Sequence, residues 1–320
     1  MTLGVPVTAT TGYGSLESRR VYHRAVELCG PNDRSAAAFA ATYGLWRFHT
    51  MRGALGPSQE LTERLMDLCH VLDDDTMKLE AQRALGVTLT HSGRVKEADP
   101  VLEAGMEAYD PARHQSNAFI YGHDPATTFY CYRALGLWLL GYPARAAPTI
   151  DRLWDLMRDS SHRLSLTYVC SIGAQVFQLR GDVQRVLSMS TRGVALAAEG
   201  HLPMFGGFAE VMQGWATMMG VEVPVGVERI RESMKRWDGA GGSSFRPSLR
   251  SLLADATRRL GDAGACSLQL RAAMSLARLH ALRGEPQIGR RLVRDAVALI
   301  HNGQGTTDLN EAARLLEEPS

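Results

Sequence analysis

The amino-acid sequence predicts an all-α fold, an α-solenoid in which about seven helix pairs stack with a period of about 40 residues. Two observations support this fold class. Glycines recur at nearly constant spacing, and the apolar side chains between them follow the period of a helix. Strand-type alternation is scarce, so no substantial sheet is expected.

The recurring glycines are expected to end the first helix of each pair. Five of the seven intervals between them lie within one residue of 40. Glycine suits this position because it adopts a left-handed backbone conformation without steric cost. A proline two positions later, as at Pro143 and Pro286, fits the first turn of the next helix. The glycines are Gly12, Gly53, Gly93, Gly141, Gly181, Gly220, Gly261 and Gly284.

Small residues and apolar stripes refine the fold class. A tetratricopeptide unit needs a small residue where its two helices cross, and this position falls seven residues before the glycine. Gly86, Ala134, Ala174, Ala254 and Ala277 fit that position, whereas Trp46 and Gln213 do not. Leu61, Leu65, Leu68 and Leu72 form a buried helical stripe in one second helix. The pattern predicts a tetratricopeptide-like solenoid.

Two intervals depart from the period. The 48-residue interval contains an insertion from Gln115 to Gly122, and the 23-residue interval after Gly261 has room for one long helix or two short ones. We therefore expect residues 1–264 to form the solenoid, with its first repeat truncated at the N-terminus. Residues 265–320 are expected to continue it as an irregular or shortened final repeat.

Charge, hydropathy and cysteine content argue against several functions. The 35 Lys and Arg against 34 Asp and Glu give a net charge of +1, without the basic stripe that nucleic-acid binding requires. No apolar run approaches the ~20 residues of a membrane span, and the N-terminus lacks a secretory signal. Five cysteines contain no Cys-x-x-Cys pair, so no zinc site is expected. The predicted location is the cytoplasm, with no nucleic-acid or membrane partner.

No catalytic or cofactor-binding motif is present. The sequence lacks a phosphate-binding Gly-x-x-x-x-Gly-Lys-Ser/Thr loop, a Gly-x-Ser-x-Gly elbow and a His-Glu-x-x-His pair. We therefore expect no enzyme activity, cofactor or metal. His123 and Asp124, in the inserted loop, could offer an exposed polar contact to a ligand or partner. The alternative is structural, with Asp124 as an N-cap ahead of Pro125 and His123 packed beside it.

A candidate partner-binding groove follows from the repeat register. The inner face of a tetratricopeptide solenoid is formed by first-helix residues at fixed positions before each glycine. Those positions carry Tyr43, Arg47, Arg83, His91, Gln175, Gln178, Arg258 and Arg278. Several arginines suit a peptide that carries carboxylates or a free C-terminus. An ordinary solvated surface would have the same composition, and that alternative stays open.

Several segments resemble the C-terminal tetratricopeptide region of large bacterial signal-transduction proteins. The similar segments are Leu3 to Leu28, Arg83 to Leu89, Tyr121 to Pro125, Leu137 to Pro143, Gly214 to Ala216 and Asp308 to Leu316. In that family an ATPase domain, often behind a nucleotide cyclase or kinase domain, precedes the repeats. The resemblance implies a solenoid that regulates or senses on behalf of such domains.

Three functional hypotheses follow. The leading one is a non-catalytic scaffold that binds a protein or peptide segment, with a signalling ATPase or cyclase as a candidate partner. The second is the severed regulatory tail of such an enzyme, suggested by the start inside a repeat. The third, which the sequence favours least, is an enzyme that uses the loop around His123.

Overall fold

A computed structural model describes residues 8, 11–219, 223–260, 266–282, 285–298, 300 and 307–317. Within its helices, the side chains of residues 258–260, 266–269, 272, 282 and 307 lie outside the description. The described part of the chain is helical and contains no strand. The predicted all-α class is confirmed.

The helices follow one another in pairs, with two short helices inserted between the second and third complete pairs. In chain order they are α1 (Leu16–Cys29), α2 (Ala36–Met51), α3 (Leu55–Leu72), α4 (Asp75–His91), α5 (Val95–Ala108), α6 (Pro111–His114), α7 (Asn117–Tyr121), α8 (Pro125–Leu139), α9 (Pro143–Leu156), α10 (Arg163–Tyr168), α11 (Ala174–Arg180), α12 (Val183–Gly200), α13 (Pro203–Met219), α14 (Val223–Gly239), α15 (Arg246–Leu260), α16 (Cys266–Leu282), α17 (Pro286–Val297) and α18 (Thr307–Glu317). A π-helical turn, Val169–Gly173, joins α10 to α11 and makes them one first helix.

The glycines end the first helices as predicted wherever the structure describes them. Gly12, Gly53, Gly93, Gly141 and Gly181 have positive φ angles between 68° and 93°. After the last four of these glycines, the next amide donates to a carbonyl five residues back, as from Tyr142 to Leu137 at 2.8 Å. This bond satisfies a carbonyl that the helix end leaves free. Gly220, Gly261 and Gly284 lie outside the described residues.

Close helix crossings occur where small residues stand. A Cβ atom added to Gly86 would lie 2.5 Å from Leu102 Cδ2, so α4 and α5 approach too closely for a larger residue. In the pair α13–α14, Gln213 stands where a small residue was expected. The neighbouring Gly214 provides the small residue instead. A Cβ atom on Gly226 would lie 2.6 Å from the Gly214 carbonyl oxygen.

The two irregular intervals have distinct structures. The inserted segment contains α7 and ends at Gly122, whose φ is 99°. The 23-residue interval contains one long helix, α16, as its length allowed. The described apolar residues form one large core, from Tyr13 to Ala256, and a small second core built by α16, α17 and α18. The division at residue 264 stays a prediction.

The solenoid turns back on itself, so that the first and later units meet. The segment 240–245 between α14 and α15 is termed the closing loop. It packs against the N-terminal turn, which residues 12–15 form ahead of α1. A Cβ atom on Gly14 would lie 2.1 Å from the Gly241 carbonyl oxygen. The Ser243 and Ser244 amides lie 2.8 and 3.1 Å from the Met51 carbonyl oxygen at the end of α2. This closure covers the face that carries the predicted groove.

Candidate protein-binding face

The structure buries much of the predicted groove. The exposed fractions are 1% for Tyr43, 2% for Arg83, 4% for Gln175 and 7% for Arg47. His91 and Gln178 are half-buried, Arg278 is exposed, and the side chain of Arg258 lies outside the described residues. The expectation of an open inner surface is therefore wrong for the four buried residues, because the insertion, the N-terminal turn and the closing loop cover them. Their role in binding a partner stays a prediction.

Arg83 is held by a complete set of buried partners. Its Nη1 lies 3.1 Å from Glu80 Oε2 and donates to the His123 carbonyl oxygen at 3.1 Å. Its Nε donates to Thr128 Oγ1 at 2.9 Å. Glu80 is fully buried and also accepts a hydrogen bond from Asn117 at 3.1 Å. Because both charges are removed from water, each depends on the other for stabilisation.

His123 is buried, in agreement with the structural alternative and not with an exposed loop contact. Its exposed fraction is 4%, and its ring stacks on Tyr168 with centroids 4.2 Å apart. One ring nitrogen lies 2.7 Å from Arg83 Nη2. Burial, and then the positive charge of Arg83, hold the pKa of His123 well below its ordinary value. The imidazole is therefore neutral at pH 7 and acts as an acceptor for the guanidinium.

Asp124 takes the structural role proposed as the alternative. Its side chain accepts a hydrogen bond from the Ala126 amide at 2.9 Å, which caps α8, and Pro125 is the first residue of that helix. The other carboxylate oxygen accepts from Tyr109 Oη at 2.8 Å. Burial raises the pKa of Asp124 to about 6. Both members of the proposed loop contact are thus buried and hydrogen-bonded inside the protein.

Arg47 lies against aromatic rings. Its guanidinium carbon is 4.3 Å from the Tyr13 ring centroid and 5.2 Å from that of Tyr43. No carboxylate within the described segments is close enough to form an ion pair with it. Gly122 makes room for it, since a Cβ atom there would lie 2.2 Å from Arg47 Nη1. The cation is stabilised here by aromatic faces.

The closing loop fills the other end of the face. The Phe245 ring centroid lies 5.3 Å from that of Phe208 and 5.6 Å from that of His91. Gln175 Nε2 donates to Ser248 Oγ at 2.9 Å, which ties α11 to α15. His91 Nε2 lies 2.8 Å from Tyr132 Oη, and burial lowers the pKa of His91 to about 4. The groove residues on this side therefore contact the protein's own loop.

Replacing His91 by glutamine should flatten the pH dependence of stability. An unfolded imidazole takes up a proton near pH 6.5, whereas folded His91 does so only near pH 4. Its neutral form therefore contributes stability that is complete above pH 6.5 and is lost as the pH falls towards 4. Between pH 7 and 5, the Tm should fall further in the wild type than in His91→Gln.

The exposed His70 offers a matched control on α3. The His70→Gln variant should keep the wild-type pH profile. A parallel fall of Tm in the wild type and in His91→Gln would contradict the assignment.

Arg278 lies apart from this buried set. It is exposed on α16 and forms an ion pair with Glu311 of α18, next to the second core. The structure thus brings Tyr43, Arg47 and Arg83 together and leaves Arg278 elsewhere.

Sequence reasoning missed Tyr13 and Phe245, the two aromatic residues that cover the face. Both stand beside glycines, in Gly12-Tyr13-Gly14 and in the Gly/Ser run before Phe245. The Gly/Ser run from Gly239 to Ser244 has the composition of a linker between helix pairs. A single large aromatic residue at the end of such a run was the available signal, because large aromatic side chains are usually buried and a solvated linker would leave this one exposed.

Comparison with solved structures supports the fold alone. The chain is similar to a chain in the crystal structure of the APC/C hetero-tetramer Cut9–Hcn1, with a TM-score of 0.57 and 10% sequence identity. The match covers 98% of this chain and 53% of that chain, so this chain spans about half its length. No family model matches the sequence, and no curated protein matches it either. The fold is that of a tetratricopeptide-like α-solenoid.

Metal-binding clusters and membrane-spanning helices are both absent from the described part of the chain. Among the described residues, no group of three or more His, Cys, Asp or Glu side chains could hold a metal ion. No described helix combines the length and the apolar character needed to cross a membrane.

Proposed function

We propose that this protein is a non-catalytic scaffold that binds a protein segment on the inner face of its solenoid. One observation carries the proposal. Tyr43, Arg47 and Arg83, from two successive units, converge on one face, where the Tyr43 ring lies 5.2 Å from the Arg47 guanidinium and 6.0 Å from that of Arg83. The chain's own segments cover these three residues, so they support the face from beneath, and the partly exposed His91 and Gln178 supply its contact surface.

The same face already accommodates polypeptide. The Ser243 amide lies 2.8 Å from the Met51 carbonyl oxygen, and the Phe245 side chain packs among the first helices. The half-buried His91 and Gln178 lie where a partner would first touch this face. The enzymatic alternative loses its support here, since His123 and Asp124 are both buried and engaged.

The resemblance to bacterial signalling proteins supports a more specific proposal. In it, the partner is a signalling ATPase or nucleotide cyclase, and the scaffold acts in the cytoplasm of a bacterial cell. Identifying the partner tests this more specific proposal separately, because the binding face would be the same in a scaffold with another partner.

Crosslinking, followed by mass spectrometry and a direct Kd measurement with the purified partner, tests the scaffold proposal. We expect the double variant His91→Ala, Gln178→Ala to bind at least about tenfold more weakly than the wild type, as loss of a contact worth about 1.4 kcal/mol would produce. Arg158→Ala is the control, since Arg158 is 72% exposed near the end of α9. No specific protein partner, or an unchanged Kd, would contradict the proposal.

A further inference from the structure

Arg47 and Tyr13 place two hydrogen-bond donors side by side against Gly122. A Cβ atom on Gly122 would lie 2.2 Å from Arg47 Nη1 and 2.6 Å from Tyr13 Oη, so both groups border the same position. Tyr13 is 3% exposed, and its hydroxyl has no hydrogen-bond partner. A buried hydroxyl without a partner is costly, as is a guanidinium without a counter-charge.

The two nearby carboxylates are committed elsewhere. Glu80 pairs with Arg83 and accepts from Asn117, while Asp124 caps α8 and accepts from Tyr109. Within the described residues, Arg47 therefore has aromatic faces around it and no acceptor of opposite charge. A carboxylate would satisfy both donors, because it carries two acceptor oxygens and a negative charge.

We propose that Arg47 and Tyr13 form a recognition site for a carboxylate presented by a partner polypeptide. The inference rests on the proposed function, since it names the chemistry by which the inner face selects its partner. Arg47 supplies a charged, planar donor pair and Tyr13 supplies a neutral donor beside it. Gly122 is required at the site because any side chain there would displace the Arg47 guanidinium and the Tyr13 hydroxyl.

Access to the site depends on the N-terminal turn. Arg47 keeps a 7% exposed fraction, and its cover is the Tyr13 ring. The turn packs on the closing loop through Gly12 and Gly14, and no backbone hydrogen bond within the described segments joins the turn to the loop. The proposed site is therefore reached only when this turn moves off the closing loop, a movement that leaves the ion pair of Arg83 intact.

Thermal unfolding in sodium acetate and in sodium chloride at equal ionic strength tests the site. A ligand that binds only the folded state raises its stability, so the wild-type Tm should be higher in acetate by about 2 °C. Arg47→Met should abolish this difference and Arg158→Met should keep it. Tyr13→Phe should reduce the acetate effect while leaving the Tm in chloride equal or higher, because it removes an unpartnered hydroxyl.

Two peptides distinguish the sources of the carboxylate. One is N-acetylated triglycine with a free C-terminus, and the other is an amidated glycine peptide with a single aspartate. Stabilisation by either peptide, lost in Arg47→Met, supports the site and identifies the source. Stabilisation by acetate alone would overturn the proposal, because a partner's carboxylate could not reach the site.

An equal Tm in acetate and chloride would likewise overturn it. If Arg47→Met does not fold, the Tyr13→Phe variant decides the test. A Tm difference between acetate and chloride as large as in the wild type would exclude the proposed geometry. A partner that binds through His91 and Gln178 while no carboxylate probe binds would refute this inference and leave the scaffold proposal standing.

Discussion

Replacing Arg83 by alanine should lower the free energy of unfolding by about 3–5 kcal/mol, the usual cost of leaving a buried charge unpaired. Glu80 is fully buried, and Arg83 is its ion-pair partner at 3.1 Å. The change also removes the donor to Thr128. Urea unfolding followed by circular dichroism measures the loss.

Two further variants show whether the loss comes from the unpaired carboxylate. The double replacement Glu80→Met, Arg83→Met should recover at least half of the loss, because an apolar pair leaves no buried charge. Arg158→Ala, at an exposed position, should stay within about 0.5 kcal/mol of the wild type. If Arg83→Ala cost less than about 1 kcal/mol, the ion pair could not be the buried, closed contact described above.

The Gly226→Ala variant should lose about 1–3 kcal/mol of stability, the usual cost of overpacking a core. The added methyl group would lie 2.5 Å from the Met218 amide nitrogen and 2.6 Å from the Gly214 carbonyl oxygen. Both contacts are with backbone, so α13 and α14 must separate. The Tm from a thermal melt measures the effect.

A glycine whose Cβ position is free provides the matched control, for which the expected change in stability has the opposite sign. Gly239 is the last residue of α14, and an added Cβ atom would meet nothing within 4 Å. Gly239→Ala should therefore stabilise the protein by up to about 1 kcal/mol, because alanine loses less backbone entropy in a helix. Equal effects of the two variants would show that the α13–α14 crossing is looser than described.

The helix pairs were predictable because their signals are local. A glycine at a helix end, a proline in the next first turn and a small residue at the crossing each act within one unit. The insertion was also predictable, since it shifts one interval from 40 to 48 residues. The N-cap at Asp124 depended only on its own neighbours.

The closure was not predictable because it depends on geometry accumulated over several units. Each unit adds a small rotation to the stack, and no short segment determines where the chain returns. The polar first-helix residues Arg47 and Arg83 were therefore expected to meet solvent, whereas the returning loop and the N-terminal turn bury them.

One signal in the sequence could have predicted part of the buried cluster. Side chains about one period apart meet between successive first helices, as Trp46 meets Thr88 and His91 meets Tyr132. Arg83 and His123 are separated by 40 residues, so their contact follows the same rule. Applied to the sequence, this spacing would have placed His123 beside a first-helix arginine instead of in an open loop.

The contact between the N-terminal turn and the closing loop has a consequence for how the chain unfolds. An open array of repeats loses its units one after another, from either end. Here the first and later units hold each other through Gly14 and Gly241, and the Met51 carbonyl oxygen joins them again. The part of the stack that shares the large core, from Tyr13 to Ala256, should therefore melt as a closed ring in one transition, separately from the small second core.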